Sequence, residues 1–270
     1  MTWRETQRLV DEVTLVSWEA GDGAPLLVVH GVDGDDGVLP FHDGLAERFR
    51  VVAPSLPGFG RTPRPDWMDS VDDLAYFLLD LLDDLREPRD LGEIAVLGIG
   101  FGGWVAAEIA VRSQERLRRL VLADAVGIKV SGPETQDIAD TLVLSRDEAA
   151  HLLWHDPAAA DGMRWPGASG FSEEEWQGAL RGMETVSVLG WKPFMHDPKL
   201  LRRLGRIKTP TLVLWGESDR VVSPDYGRAF QRAIPGSTFQ TIPRAGHYPH
   251  RERPDDFVRA VTTFLLAGAG

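Results

Sequence analysis

The chain contains no cysteine. That excludes disulfides, thiolate nucleophiles and zinc sites built on sulfur, and it leaves the redox compartment open. Basic residues are scarce: 29 Lys and Arg stand against 41 Asp and Glu, for a net charge of −12. Such a balance repels phosphate backbones and anionic bilayers, so no nucleic acid and no membrane is expected among the partners. Long apolar runs are missing as well. The longest uncharged stretch, Ile94–Ala107, carries four glycines and falls short of the roughly 20 residues that a membrane helix needs. The opening residues, MTWRETQRLVDEV, are charged throughout and lack the apolar core of a signal peptide. A cytoplasmic location is therefore expected. What remains is ordinary globular composition, 43% hydrophobic and 26% charged over 270 residues, a length that suits one large domain or one domain with an inserted lobe.

Residues 12–18 alternate like an edge strand, and LLVVH (26–30) reads as a buried strand ending at Gly31. Val51–Ala53 is a short strand closed by Pro54 and the turn-rich Pro57-Gly58-Phe59-Gly60. Apolar positions 71, 74, 77, 78, 81, 82 and 85 follow a helical period, with Asp69 or Ser70 as N-cap. Then come the strand IAVLG (94–98), a glycine turn, a helix over Trp104–Arg112 and a strand over Leu120–Ala123. The alternation resumes with TLVLW (211–215), a helix near 224–233, a strand near 238–242 and a helix from about 255 to 266. Strand alternating with helix predicts an α/β fold whose mostly parallel sheet is covered on both faces. The stretch 126–205 has no buried-strand run and is rich in His and Trp, so it reads as an inserted helical lobe.

Residues 98–103 are Gly-Ile-Gly-Phe-Gly-Gly, between a strand and a helix, with Asp124 closing the next strand 21 residues after Gly103. That satisfies the dinucleotide pattern, in which helix-terminal amides hold a pyrophosphate and a carboxylate holds the ribose. Against it, the chain enters the helical lobe after Asp124, where a dinucleotide half-domain needs another strand and helix. The rival frame is G-x-S-x-G, a strained strand-to-helix turn that lifts a serine above a sheet and needs flanking glycines. In that frame Gly98 and Gly102 flank the turn, and Gly100 occupies the serine position.

Four further landmarks occur in order. His30-Gly31 ends an early strand, Pro57-Gly58-Phe59-Gly60 follows the next, Trp215-Gly216-Glu217-Ser218-Asp219 ends a late strand, and Ala245-Gly246-His247 follows the last. With this ordered set the chain resembles the α/β-hydrolase superfamily from about residue 12 to 267. The resemblance implies a core domain of 1–125 and 206–270, a helical cap of 126–205, Asp219 as the acid and His247 as the base. It also implies an oxyanion hole from the backbone amides of Val32 and Phe101, and no cofactor.

The departure from the family lies at the nucleophile. Gly100 has no side chain, and neither Cys nor Asp replaces the serine, so a covalent acyl-enzyme route is closed. Ser55, in a strand-end loop, and Ser113, a surface or capping residue just beyond the helix, do not substitute. Three explanations stand side by side. An enzyme could use His247, oriented by Asp219, as general base on water or on the substrate itself; a non-catalytic binding protein could occupy the same scaffold; or the glycine could be an engineered Ser-to-Gly change. A nucleotide-dependent oxidoreductase is a more distant fourth.

His30 reads as a turn residue that orders the oxyanion loop, and His250 as a surface residue. Asp33-Gly34-Asp35-Asp36-Gly37 reads as a solvated acidic loop whose spacing fits no calcium loop. The cap aromatics Trp154, Trp165, Phe171, Trp176, Trp191 and Phe194 divide between a small core and the pocket. The substrate-binding set is His30, Gly31, Trp154 and Trp191, and no metal is expected. The expected reaction is hydrolysis or carbon–carbon cleavage of a small or medium carbonyl compound: an ester, a lactone or a diketone.

Overall fold

A computed structural model describes residues 1–34, 37–86, 93–141, 143–162, 172–191 and 193–267. Its centre is an eight-stranded sheet in the order β1-β2-β4-β3-β5-β6-β7-β8. The strands are β1 (Arg4–Val10), β2 (Val13–Ala20), β3 (Ala24–Val29), β4 (Phe49–Pro54), β5 (Ile94–Ile99), β6 (Leu117–Ala123), β7 (Thr211–Gly216) and β8 (Thr238–Ile242). β1 and β2 run antiparallel to their neighbours, and the remaining pairs are parallel. The edges are β1 and β8; β1 is formed by the charged N-terminal residues that the sequence left unassigned, and it covers β2, the strand expected at the edge, which pairs with β4 on its other side. Its hairpin with β2 turns at Asp11 and Glu12, both at positive φ (41° and 66°), the backbone of a two-residue hairpin loop.

The central parallel strands bury both faces, which is why they read as apolar runs and not as alternating ones. Leu27 and Val29 of β3, Val96 of β5, Leu122 of β6 and Trp215 of β7 face one core with α2 (Val71–Arg86), α3 (Phe101–Arg112) and α7 (Pro224–Ala233). The residues between them, Leu26, Val28, Leu97, Val121 and Leu214, face the other core with α1 (Pro40–Ala46) and α9 (Pro254–Leu266). α2 starts where the sequence predicts. Ser70 Oγ accepts the Asp73 amide (3.2 Å) while Asp73 Oδ2 accepts the Ser70 amide (3.1 Å), a reciprocal cap that satisfies two free donors.

Between β6 and β7 the described residues form no strand. They carry α4 (Arg146–Leu153), a 3₁₀ turn (Pro157–Gly162), α5 (Glu173–Leu189) and α6 (Leu200–Arg203), followed by a 3₁₀ turn at Leu204–Arg206. α8 (Pro249–Glu252) precedes α9. No described helix is long and apolar enough to cross a membrane. The register pairs Val29 with Gly98, Gly98 with Leu122 and Leu122 with Val213. One row thus crosses four parallel strands, and the loops after β3, β5, β6 and β7 emerge along one edge, where ligands of such sheets bind.

Candidate active site

β5 passes into α3 through Gly100, whose φ of 54° and ψ of −114° lie where side chains are strained. The flanking glycines are fixed by contact. A Cβ on Gly98 would stand 2.4 Å from the Gly102 carbonyl oxygen, and one on Gly102 would stand 2.2 Å from that of Val29 and 2.4 Å from that of His30. At Gly100 itself there is room. A Cβ there would meet only His247 Nε2 at 3.5 Å and Gly31 Cα at 3.9 Å. The turn is thus shaped to present a side chain toward His247, and carries none.

His247 follows β8 and is 7% exposed; Asp219 follows β7 and is 4% exposed. His247 Nδ1–H donates to Asp219 Oδ2 at 2.9 Å. The other carboxylate oxygen, Oδ1, accepts the amides of Val221 (2.8 Å) and Val222 (3.1 Å). Since a carboxylate only accepts, the neutral ring carries its proton on Nδ1 and keeps the Nε2 lone pair toward residue 100. Burial favours the uncharged ring, but the charge and hydrogen bond of Asp219, with the charge of Asp33, outweigh it and raise the His247 pKa.

Gly31, Val32, Gly100, Phe101 and His247 share the lining of one cavity, with about 570 Å³ of atom-free space including its mouth. Phe101 opens α3, so its amide has no acceptor within the helix. The apolar walls come from Val126, Ile138, Leu153, Val186, Phe194 and Met195, all in the β6–β7 connection. Ile138 and Phe194 also border a wider groove that includes Trp191, Lys129 and His196.

Of the sequence-predicted residues, the structure brings His247, Asp219, Gly100, Val32, Phe101 and Gly31 together. It places the other three apart. His30 lies behind the loop after β3: its Nε2 accepts the Leu56 amide (3.0 Å), and its Nδ1–H donates to the Gly31 carbonyl (2.8 Å). Trp154 is 5% exposed and packs edge-on against Tyr248 at 5.6 Å, one layer behind the cavity wall. Trp191 is 43% exposed and borders the groove, against Phe194. His250, expected at the surface, is 4% exposed because it packs against Phe41, Tyr248 and Phe257. Trp165, Phe171, Asp35 and Asp36 lie outside the described residues.

Sequence reasoning missed how the two loops are joined. Asp33, read as one of a solvated acidic group, accepts the Tyr248 hydroxyl (3.2 Å) and the Arg251 guanidinium (3.0 Å), which ties the loop after β3 to the segment after His247. The signal was available as two charges of opposite sign beside the two motifs, but their pairing is long-range. Asp124, the ribose carboxylate of the dinucleotide reading, is fully buried and accepts the Gly216 amide at 2.7 Å, so it faces no ligand edge. Side-chain atoms of Asp124, Asp219 and His247 lie within 4.8 Å of one another, close enough to suggest a metal. However, both Asp219 oxygens are already engaged by two amides and the imidazole.

The alpha/beta hydrolase family, as a sequence model, matches residues 26–260. A 2-hydroxy-6-oxo-6-(2'-aminophenyl)hexa-2,4-dienoic acid hydrolase from Metapseudomonas resinovorans is 28% identical, over 92% of this chain and 86% of its own. A 2-hydroxy-6-oxo-2,4-heptadienoate hydrolase from Pseudomonas putida is 27% identical, over 92% and 91%. Among solved structures, the 2-hydroxy-6-oxo-6-phenylhexa-2,4-dienoate hydrolase of Rhodococcus sp. strain RHA1 superposes with a TM-score of 0.76. Its identity is 21%, over 98% of this chain and 99% of that one, and it shares the fold. With the strand order, the glycine turn and the match over most of its length, this chain belongs to the alpha/beta hydrolase family.

Proposed function

We propose that the protein is a cofactor-independent hydrolase that cleaves an ester, a lactone or a carbon–carbon bond beside a ketone, with His247 as general base and no covalent serine intermediate. Water occupies the space beside Gly100 and gives its proton to His247 Nε2 as its oxygen attacks the substrate carbonyl. The carbonyl oxygen takes the negative charge and is held by the amides of Val32 and Phe101, donors worth about 3–4 kcal/mol each in such sites. Collapse of the tetrahedral adduct breaks the C–O or C–C bond, and the Nε2 proton passes to the departing alkoxide or enolate. Asp219 keeps the ring in the required tautomer and balances its transient charge. The β6–β7 connection acts as an apolar cap that limits the substrate to small or medium size.

The observation that carries this reading is the approach of His247 Nε2 to within 3.5 Å of where a side chain on residue 100 would begin, with Nδ1 fixed by a buried carboxylate. The relatives add support, since the hydrolases named above act on 6-oxo acids, whose ketone is such an electrophile. Short-chain aryl esters, lactones and 6-oxo-dienoates form the assay panel. His247→Ala is expected to lower kcat/KM by about 10²–10⁴-fold, with the chain unlabelled by a fluorophosphonate throughout. Turnover undiminished in His247→Ala, or labelling of the parent chain, overturns the proposal.

Gly100 itself favours a second reading, a binding protein on the hydrolase scaffold. Saturable binding of panel compounds with no turnover of any of them supports that reading. The third alternative, a serine enzyme edited at one position, is tested by Gly100→Ser. Strong phosphonate labelling and esterase activity in that variant, absent from the parent, favour it.

A further inference from the structure

Asp124 has no part in the reaction above, yet it sits against the residues that do. It ends β6 at a φ of 47°, a left-handed backbone that non-glycine residues rarely hold without a compensating contact. Its side chain is fully buried. One oxygen, Oδ1, accepts the Gly216 amide at the end of β7; the other, Oδ2, has no hydrogen-bond partner among the described residues. The charged and titratable groups that face it are Asp219 from the loop after β7, His247 from the loop after β8, and Glu252 of α8.

Two carboxyl groups this close, both out of water, cannot both ionise without strong repulsion. The hydrogen bonds decide which one keeps the proton. Asp219 receives two amides and an imidazole N–H, whereas Asp124 receives one amide. We propose that Asp124 is a positioning residue held as the un-ionised carboxylic acid, so that the pair carries a single negative charge and that charge stays on the partner of His247. Its carbonyl oxygen meanwhile anchors Gly216, three residues before Asp219. Burial and the Asp219 charge push the Asp124 acid well above the ordinary carboxylate range, with Glu252 acting in the same direction.

The sign of the linkage follows. The folded acid holds its proton more tightly than the unfolded one. Its stabilising contribution is complete at low pH and is lost as pH rises from the ordinary aspartate range toward the raised folded value. Asp124→Asn keeps the shape and an acceptor for Gly216 but binds no proton. The folding constant of the parent, relative to that of Asp124→Asn, is therefore expected to fall about tenfold per pH unit across that interval. The infrared difference spectrum of parent minus variant at neutral pH is expected to show the carbonyl band of an un-ionised carboxyl group, above a background common to both chains from Glu108, which burial pushes up to about 7. By NMR the proton affinity of the His247 ring is expected to be unchanged, because a neutral group replaces a neutral group. An ionised Asp124 would instead lower that affinity about tenfold or more on substitution.

Parallel pH–stability curves, a difference spectrum without the carboxyl band, or a shifted His247 titration each overturn the proposal. Should Asp124→Asn fail to fold, Asp219→Asn serves: removing the neighbouring charge is expected to move the carboxyl band's titration to lower pH, and a band that does not move overturns it. The inference rests on the reading of Asp219 and His247 as the working pair. None of these measurements needs turnover, so a chain that cleaves nothing in the assay panel leaves their outcome intact.

Discussion

An imidazole acts as a base only while neutral, and the environment of His247 sets where that state begins. Burial works against the charged ring, but Asp219 and Asp33 together lift its pKa above the ordinary 6.5. The acid limb of a kcat/KM–pH profile is therefore expected above pH 6.5, with activity rising as His247 loses its proton; a limb at or below that value would show that Asp219 and Asp33 do not outweigh burial at this ring. The same raised value stabilises the fold below about pH 6.5, and the contribution fades as pH climbs through the folded pKa. His247, Asp219 and Gly100 were legible in the sequence because each follows a recognisable strand and belongs to a local motif. The site of Asp124 was not, since its partner Gly216 is 92 residues away, and no local pattern encodes a buried carboxyl pair. His250 was misread for a related reason. Histidine next to arginine looks like surface, and only the folded chain shows Phe41 and Phe257 closing over it.

Elements were legible where they are buried on both sides. β5 and β7 are entirely buried, and their apolar runs announced them. β1 lies at the edge and reads as charged, and α1 spans Pro40–Ala46, too short for a helical period to show. The turn between β5 and α3 was ambiguous at the sequence level because both candidate patterns demand glycines. Packing separates the demands. Gly102→Ala pushes a methyl into two backbone carbonyl oxygens at 2.2 Å and 2.4 Å, which cannot yield as a side chain can. A loss of about 3 kcal/mol or more is expected. Gly100→Ala meets only His247 Nε2 at 3.5 Å and Gly31 Cα at 3.9 Å and bears mainly the strain of its backbone, about 1–3 kcal/mol. Urea denaturation of the two variants checks the order; equal losses would mean that the turn does not pack as described.

At the scale of the whole molecule, the site joins a rigid sheet edge to the long connection between β6 and β7, and a small number of hydrogen bonds make that joint. The His247 amide donates to the Leu153 carbonyl at the end of α4 (2.7 Å). Arg220, one residue past Asp219, donates to the carbonyls of His151 (2.7 Å) and Trp154 (3.2 Å). Glu252 accepts the amides of Gly246 and His155 at once, from the two sides of the joint. Replacing Glu252 by Ala leaves both donors without their acceptor, at a cost of about 1–3 kcal/mol. That cost is expected to appear as local opening, because β5, β6 and β7 keep every contact they have. Hydrogen exchange should quicken at 153–156 and 246–248 and stay unchanged across the central strands, with Glu252→Gln restoring part of the protection. Exchange that rises throughout the sheet would show instead that the connection and the sheet open as one cooperative unit.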